Sequence, residues 1–182
     1  QLIENKNLWN KRCMMSLIQI ATNTVTSAVS SVTLTGIDSD SVYMLTVNDA
    51  IPSSDTQVLR VRVTESGNPN TTSEYDNAFR QLKANTSFSN GQSSNQSGWL
   101  LFSTTGTGGQ ESSNGIMYLY NMFNSSEFSF ASVEDVTRAN NGKMQGNQGG
   151  GVFTSASQCD GVNMTFPSGD IANGKFTLYK VV

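Results

Sequence analysis

Histidine is missing from the sequence altogether. That excludes Ser-His-Asp and Cys-His nucleophile systems, imidazole general bases and histidine-ligated zinc in one step. Cysteine is nearly missing: Cys13 and Cys159 lie far apart and form no CxxC pair, so neither a disulfide framework nor a zinc knuckle is encoded. One buried and one exposed thiol is the expectation. Charge is scarce, at 14% of the residues, with 11 Lys and Arg against 14 Asp and Glu. Because Lys6, Lys11 and Arg12 sit at the very start, the rest of the chain has no basic patch. Nucleic acid and a polybasic-bound membrane surface are therefore not expected partners. No apolar run approaches the roughly eighteen residues of a bilayer-spanning helix. The segment "MMSLIQIATNTV" is broken by Gln19 and makes a poor secretory signal.

What is abundant is Ser, Thr, Asn and Gly, interleaved with β-branched and aromatic residues, a composition that fits short strands and polar loops. The opening "QLIENKNLWNKRC" stands apart, and the character changes at Met14. Residues 1–14 are read as an N-terminal arm or, preferably, as a segment called upstream of a true start at Met14 or Met15. Residues 15–182 are read as a single domain, long enough to bury a core without metal or disulfide.

Alternation marks the strands. In "VYMLTV", Tyr43, Leu45 and Val47 share one face and Val42, Met44 and Thr46 the other, so a central strand is predicted. In "VLRVRV", Leu59, Val61 and Val63 face inward and Arg60 and Arg62 outward, the pattern of a half-buried antiparallel strand. "EYDNAFRQLKANT" differs: Tyr75, Phe79 and Leu82 fall at i, i+4 and i+7, which allows at most one short helix near 74–84. "SFSNGQSSNQSG" reads as a polar surface loop, as do the glycine-rich "TGTGGQESSNG" and "RANNGKMQGNQGGG". Between them lie short strand-like segments, ending in "KFTLYKV" from Lys175 onward. Together these predict an all-β fold, an antiparallel two-sheet sandwich of jelly-roll-like character.

No catalytic, cofactor-binding or metal-binding residue emerges. The carboxylate pairs Asp38/Asp40, Glu74/Asp76 and Glu134/Asp135 read as turn, solvated-face and opposite-face residues respectively. A two-carboxylate glycosidase stays a minor alternative. The glycine runs match neither the P-loop nor the dinucleotide fingerprint. Trp99, Tyr118, Tyr120, Phe123, Phe128 and Phe130 are either core or a platform on which sugar rings stack. The candidate binding surface is Trp99, Tyr120, Asn90, Gln92, Asn95, Asn147 and Gln148, with Asn85 to Gly98 and Arg138 to Gly151 as the loops that would carry it.

Taken together, "VYMLTVNDAIPSSDTQVLRVRV", "GIMYLYN" and "SGDIANGKFTLYKVV" resemble a family of small virion structural proteins of tailed bacteriophages of marine bacteria and cyanobacteria, the decoration or tail-fibre-like proteins. The resemblance runs from about Ser31 to Val182 and departs from the family at Lys180, where a glycine is usual. It implies a non-enzymatic protein on the virion exterior: a capsid decoration, head fibre or tail-fibre-like component. The implied partners are major capsid or tail proteins and host surface glycans, with homo-oligomers such as trimers. The alternative reading is a carbohydrate-binding, receptor-binding β-sandwich module.

Overall fold

The computed structural model describes residues 16–139 and 141–182. The expectation for residues 1–14, and for Cys13, lies outside the described residues. In chain order the strands are β1 (Leu17–Val25), β2 (Val32–Thr35), β3 (Tyr43–Pro52), β4 (Gln57–Val58), β5 (Arg60–Glu65), β6 (Asn68–Pro69) and β7 (Tyr75–Lys83). They continue with β8 (Ser89–Gln96), β9 (Thr104–Thr105), β10 (Ser113–Tyr120), β11 (Ser129–Arg138), β12 (Met144–Phe153), β13 (Gly161–Thr165) and β14 (Ile171–Val181). An eight-stranded sheet runs β1-β14-β3-β10-β11-β12-β7-β8, a four-stranded sheet β2-β13-β5-β6, and β4 pairs with β9 in a short ribbon. Every ladder is antiparallel. The all-β sandwich is the observed fold.

Register explains why these residues make a core. Leu34, Val162 and Val63 stand opposite one another across the small sheet, as do Val32, Met164 and Val61, and all six are buried. On the large sheet Leu178, Leu45, Met117 and Val133 form one such row, again buried. Directly opposed side chains share a face, so these rows meet across the sandwich. Each such side chain contributes about 1.5–3 kcal/mol on leaving water. Trp99 joins the two layers: its backbone exchanges N–H···O bonds with Val61 at 2.8 and 3.0 Å, and its ring meets Tyr75 edge-on with centroids 5.4 Å apart.

Three expectations are corrected. Residues 74–84 hold no helix: they are β7, an extended strand between β12 and β8. The supposed loops 85–98 and 138–151 contain β8 and much of β12. The last strand starts at Ile171 rather than Lys175 and absorbs Gly174 as a bulge at φ 152°. It lies between β1 and β3, so the terminal strand is an interior member of the large sheet.

Glycine runs become strand because of their neighbours. A side chain at Gly151 would come within 2.6 Å of the Trp99 ring, and one at Gly149 within 2.5 Å of Phe79 Cβ. At Gly91 it would enter the Phe79 ring itself. The core has filled the space that side chains would otherwise take.

Candidate functional site

The small sheet covers one face of the large one, and the opposite face carries the alternate residues of each strand. Across β10, β11, β12, β7 and β8 three rows line up on it. Tyr120, Phe130, Val152 and Asp76 form the first. Tyr118, Ser132, Gly150, Ala78 and Gln92 form the second. Ile116, Glu134, Gln148, Arg80 and Asn90 form the third. The middle row shrinks to Ser132, Gly150 and Ala78 at its centre, so the sheet is hollow there. A cleft of about 670 Å³ opens over Gly150 and Ala78, with Phe130, Asp76, Gln92 and Ser94 among its walls.

Phe130 is 44% exposed, unusually open for an aromatic ring on a strand. A second depression of about 340 Å³ lies on its other side, lined by Asn121, Ser126, Glu127 and Phe128. Phe130 therefore stands between two hollows. Tyr120 is its cross-strand neighbour, held by a 3.2 Å hydrogen bond between its hydroxyl and that of Ser132.

The carboxylates at the two hollows are fixed by local bonds. Asp76 Oδ1 accepts the N–H of Asn95 at 2.8 Å, where the chain turns with Asn95 at φ 54°. Glu127 Oε2 accepts the side-chain amide of Asn121 at 3.2 Å. Neither hollow has a Lys or Arg among these lining residues.

The structure divides the candidates that sequence named. Tyr120, Asn90, Gln92 and Gln148 share the open face, and Asn95 lies in the bulge near the end of β8. Trp99 and Asn147 are corrections. Trp99 is fully buried, and Asn147 is buried with its Nδ2 donating to the Leu101 carbonyl at 2.9 Å. Both face inward, where the sandwich needs bulk and a backbone partner. The sequence marks Phe130 as core or sugar platform and Asp76 as half of a carboxylate pair, but not Glu127; what brings the three to one place is the small-residue middle row, visible only once β12 and β7 are paired.

The acidic pairs separate as their positions demand. Asp38 accepts from Tyr43 Oη at 2.9 Å and from Lys180 Nζ at 3.0 Å, and the lysine beside it holds its carboxyl below the usual range. Glu134 is exposed while Asp135, its neighbour, points into the sandwich. Asp135 accepts the Ser103 N–H at 2.9 Å, the Ser103 hydroxyl at 3.2 Å and the Asn147 N–H at 2.6 Å. Burial pushes its pKa up to about 6 against the pull of those donors. A raised carboxylate pKa is a common mark of catalysis, yet this one lines neither hollow and its bonds stitch β11 to β12 and to the 101–103 segment. Among the described residues no cluster of three or more His, Cys, Asp or Glu side chains is arranged for a metal ion.

No family model, curated protein or solved structure matches the chain.

Proposed function

We propose that the chain is a non-enzymatic structural component of the exterior of a tailed-phage virion, acting as a capsid decoration, head fibre or tail-fibre-like protein through surface contact. The observation that carries this reading is the face of the eight-stranded sheet that no other described element covers. At the end of that face away from Phe130, Val136 and Met144 are exposed and line one hollow with Gln110 and Asn114. Clustered exposed apolar groups on an otherwise polar, weakly charged surface mark a protein-contact face. The sequence motifs that resemble phage virion proteins support the same assignment. Partners are major capsid or tail proteins and further copies of the chain.

Immunogold electron microscopy of the source particles, with antibody raised against residues 16–182, tests it. Label over the head identifies a decoration or head fibre, and label at the tail a tail-fibre-like component. Unlabelled particles refute the virion assignment. Sedimentation equilibrium on the purified chain reads the expected oligomer.

A further inference from the structure

We infer that the paired hollows around Phe130 form a binding site for a neutral oligosaccharide, one sugar unit on each side of the ring. The inference rests on the chemistry of the open face and is independent of where the protein is displayed.

An aromatic ring standing proud of a sheet offers both its surfaces to apolar C–H faces of a ligand. Here each side of Phe130 has its own hollow, about 670 Å³ toward β7 and about 340 Å³ toward Glu127. The floor of the larger one is Gly150 and Ala78, so a flat ring can settle close to the backbone. A Cβ at Gly150 would meet the Ala131 carbonyl at 2.8 Å and otherwise nothing nearer than 3.9 Å. At Gly151 the Trp99 ring fills the space a side chain would need, whereas at Gly150 the near atoms are backbone and no side chain covers the floor.

The polar groups select the ligand. Asp76 and Gln92 on one side, and Glu127 on the other, present oxygens that accept hydroxyl protons and an amide that donates. Both carboxylates are anchored through one oxygen by Asn95 and Asn121, so little ordering is left to lose on binding. Phosphorylated, sulfated or uronic-acid ligands would face two carboxylates in hollows lined by no Lys or Arg. An apolar peptide would strip water from Asp76 without replacing its hydrogen bonds. A polyhydroxylated, uncharged chain satisfies the carboxylates and stacks on Phe130 at once.

The test is native gel electrophoresis of the full chain through gels containing galactomannan, mixed-linkage β-glucan or dextran, with alginate as the anionic comparison. At least one neutral polysaccharide is expected to retard the protein. Phe130→Ala should weaken that retardation at least tenfold and Gln92→Ala measurably, while Phe130→Tyr and Phe88→Ala keep it. Phe88 is a still more exposed ring, stacked under Arg80 and outside both hollows. Should Phe130→Ala melt early, Gln92→Ala carries the comparison. No retardation in any neutral gel, retardation in alginate alone, or retardation undiminished by Phe130→Ala and Gln92→Ala would overturn the site. Immunogold labelling of particles is read separately, so either proposal can fail without the other.

Discussion

Asp135 makes the stability of this protein fall as pH rises from acid to neutral. Burial raises its carboxyl pKa from the ordinary 3.8 to about 6 in the folded chain. A folded pKa above the unfolded one means the native state binds the proton more tightly. The stabilisation is complete below the unfolded value and is lost as pH climbs through about 6. A shift of roughly two units corresponds to about 3 kcal/mol in total, of which about 2 kcal/mol falls between pH 4.5 and 7.5. For a urea slope near 2 kcal/mol/M, that moves the unfolding midpoint down by about 1 M across the window. Intrinsic tryptophan fluorescence, with Trp99 fully buried, reports the transition. Asp38 has its pKa moved the other way by Lys180, so measurements start at pH 4.5, where its protonation interferes least. Asp135→Asn keeps the shape and removes the charge. Its amide cannot accept from both the Ser103 and Asn147 N–H groups, so its absolute stability shifts, but its pH slope should flatten. Equal slopes in wild type and Asp135→Asn would refute the reasoning.

Three further outcomes follow from the core. Phe176→Ala, on the buried face of β14, should cost about 3–5 kcal/mol by denaturant titration; a loss under 1 kcal/mol would mean the sheet relaxes around it. Deleting residues 175–182 removes most of the strand between β1 and β3 and should leave no cooperative thermal transition; a folded, soluble truncation would contradict the topology. The Cys159 thiol is fully buried and burial pushes its pKa up to about 11. In a Cys13→Ser background it should react with a disulfide reagent at pH 8 about 100-fold more slowly than after unfolding, and equal rates would show the thiol to be accessible.

Some of this architecture is written openly in the residues. Leu59, Val61 and Val63 alternate with two arginines, and all three are buried as that alternation requires. β7 shows where the reading fails. Tyr75 and Phe79 are four apart, an even number, so they share a face in a strand as well as in a helix. Only Leu82 breaks the tie, and it points to the open face, in the register of Gly146. β8, "SNGQSSNQ", has no apolar side chain at all; its pairing with β7 and the Phe79 ring against Gly91 make it a strand. The candidate surface shows the same division. Asn90, Gln92 and Gln148 were visible as polar residues, but their common face depends on ladders between segments far apart in the chain. Trp99 misled because aromatic character alone does not tell a platform from a core wedge.

The place of β14 has a kinetic consequence. Among the described residues β1 hydrogen-bonds within the large sheet to β14 alone, and Ser16 and Val182 exchange backbone bonds at its end. As the polypeptide is synthesised, β1 emerges early and must wait, unpaired, until residues 171–181 leave the ribosome. Until then β3 also exposes a bare edge. Non-local closure of this kind slows folding and leaves nascent edges open to wrong partners. Assembly of the large sheet thus waits on β14, and until it arrives the unpaired edges of β1 and β3 are the surfaces open to misassembly.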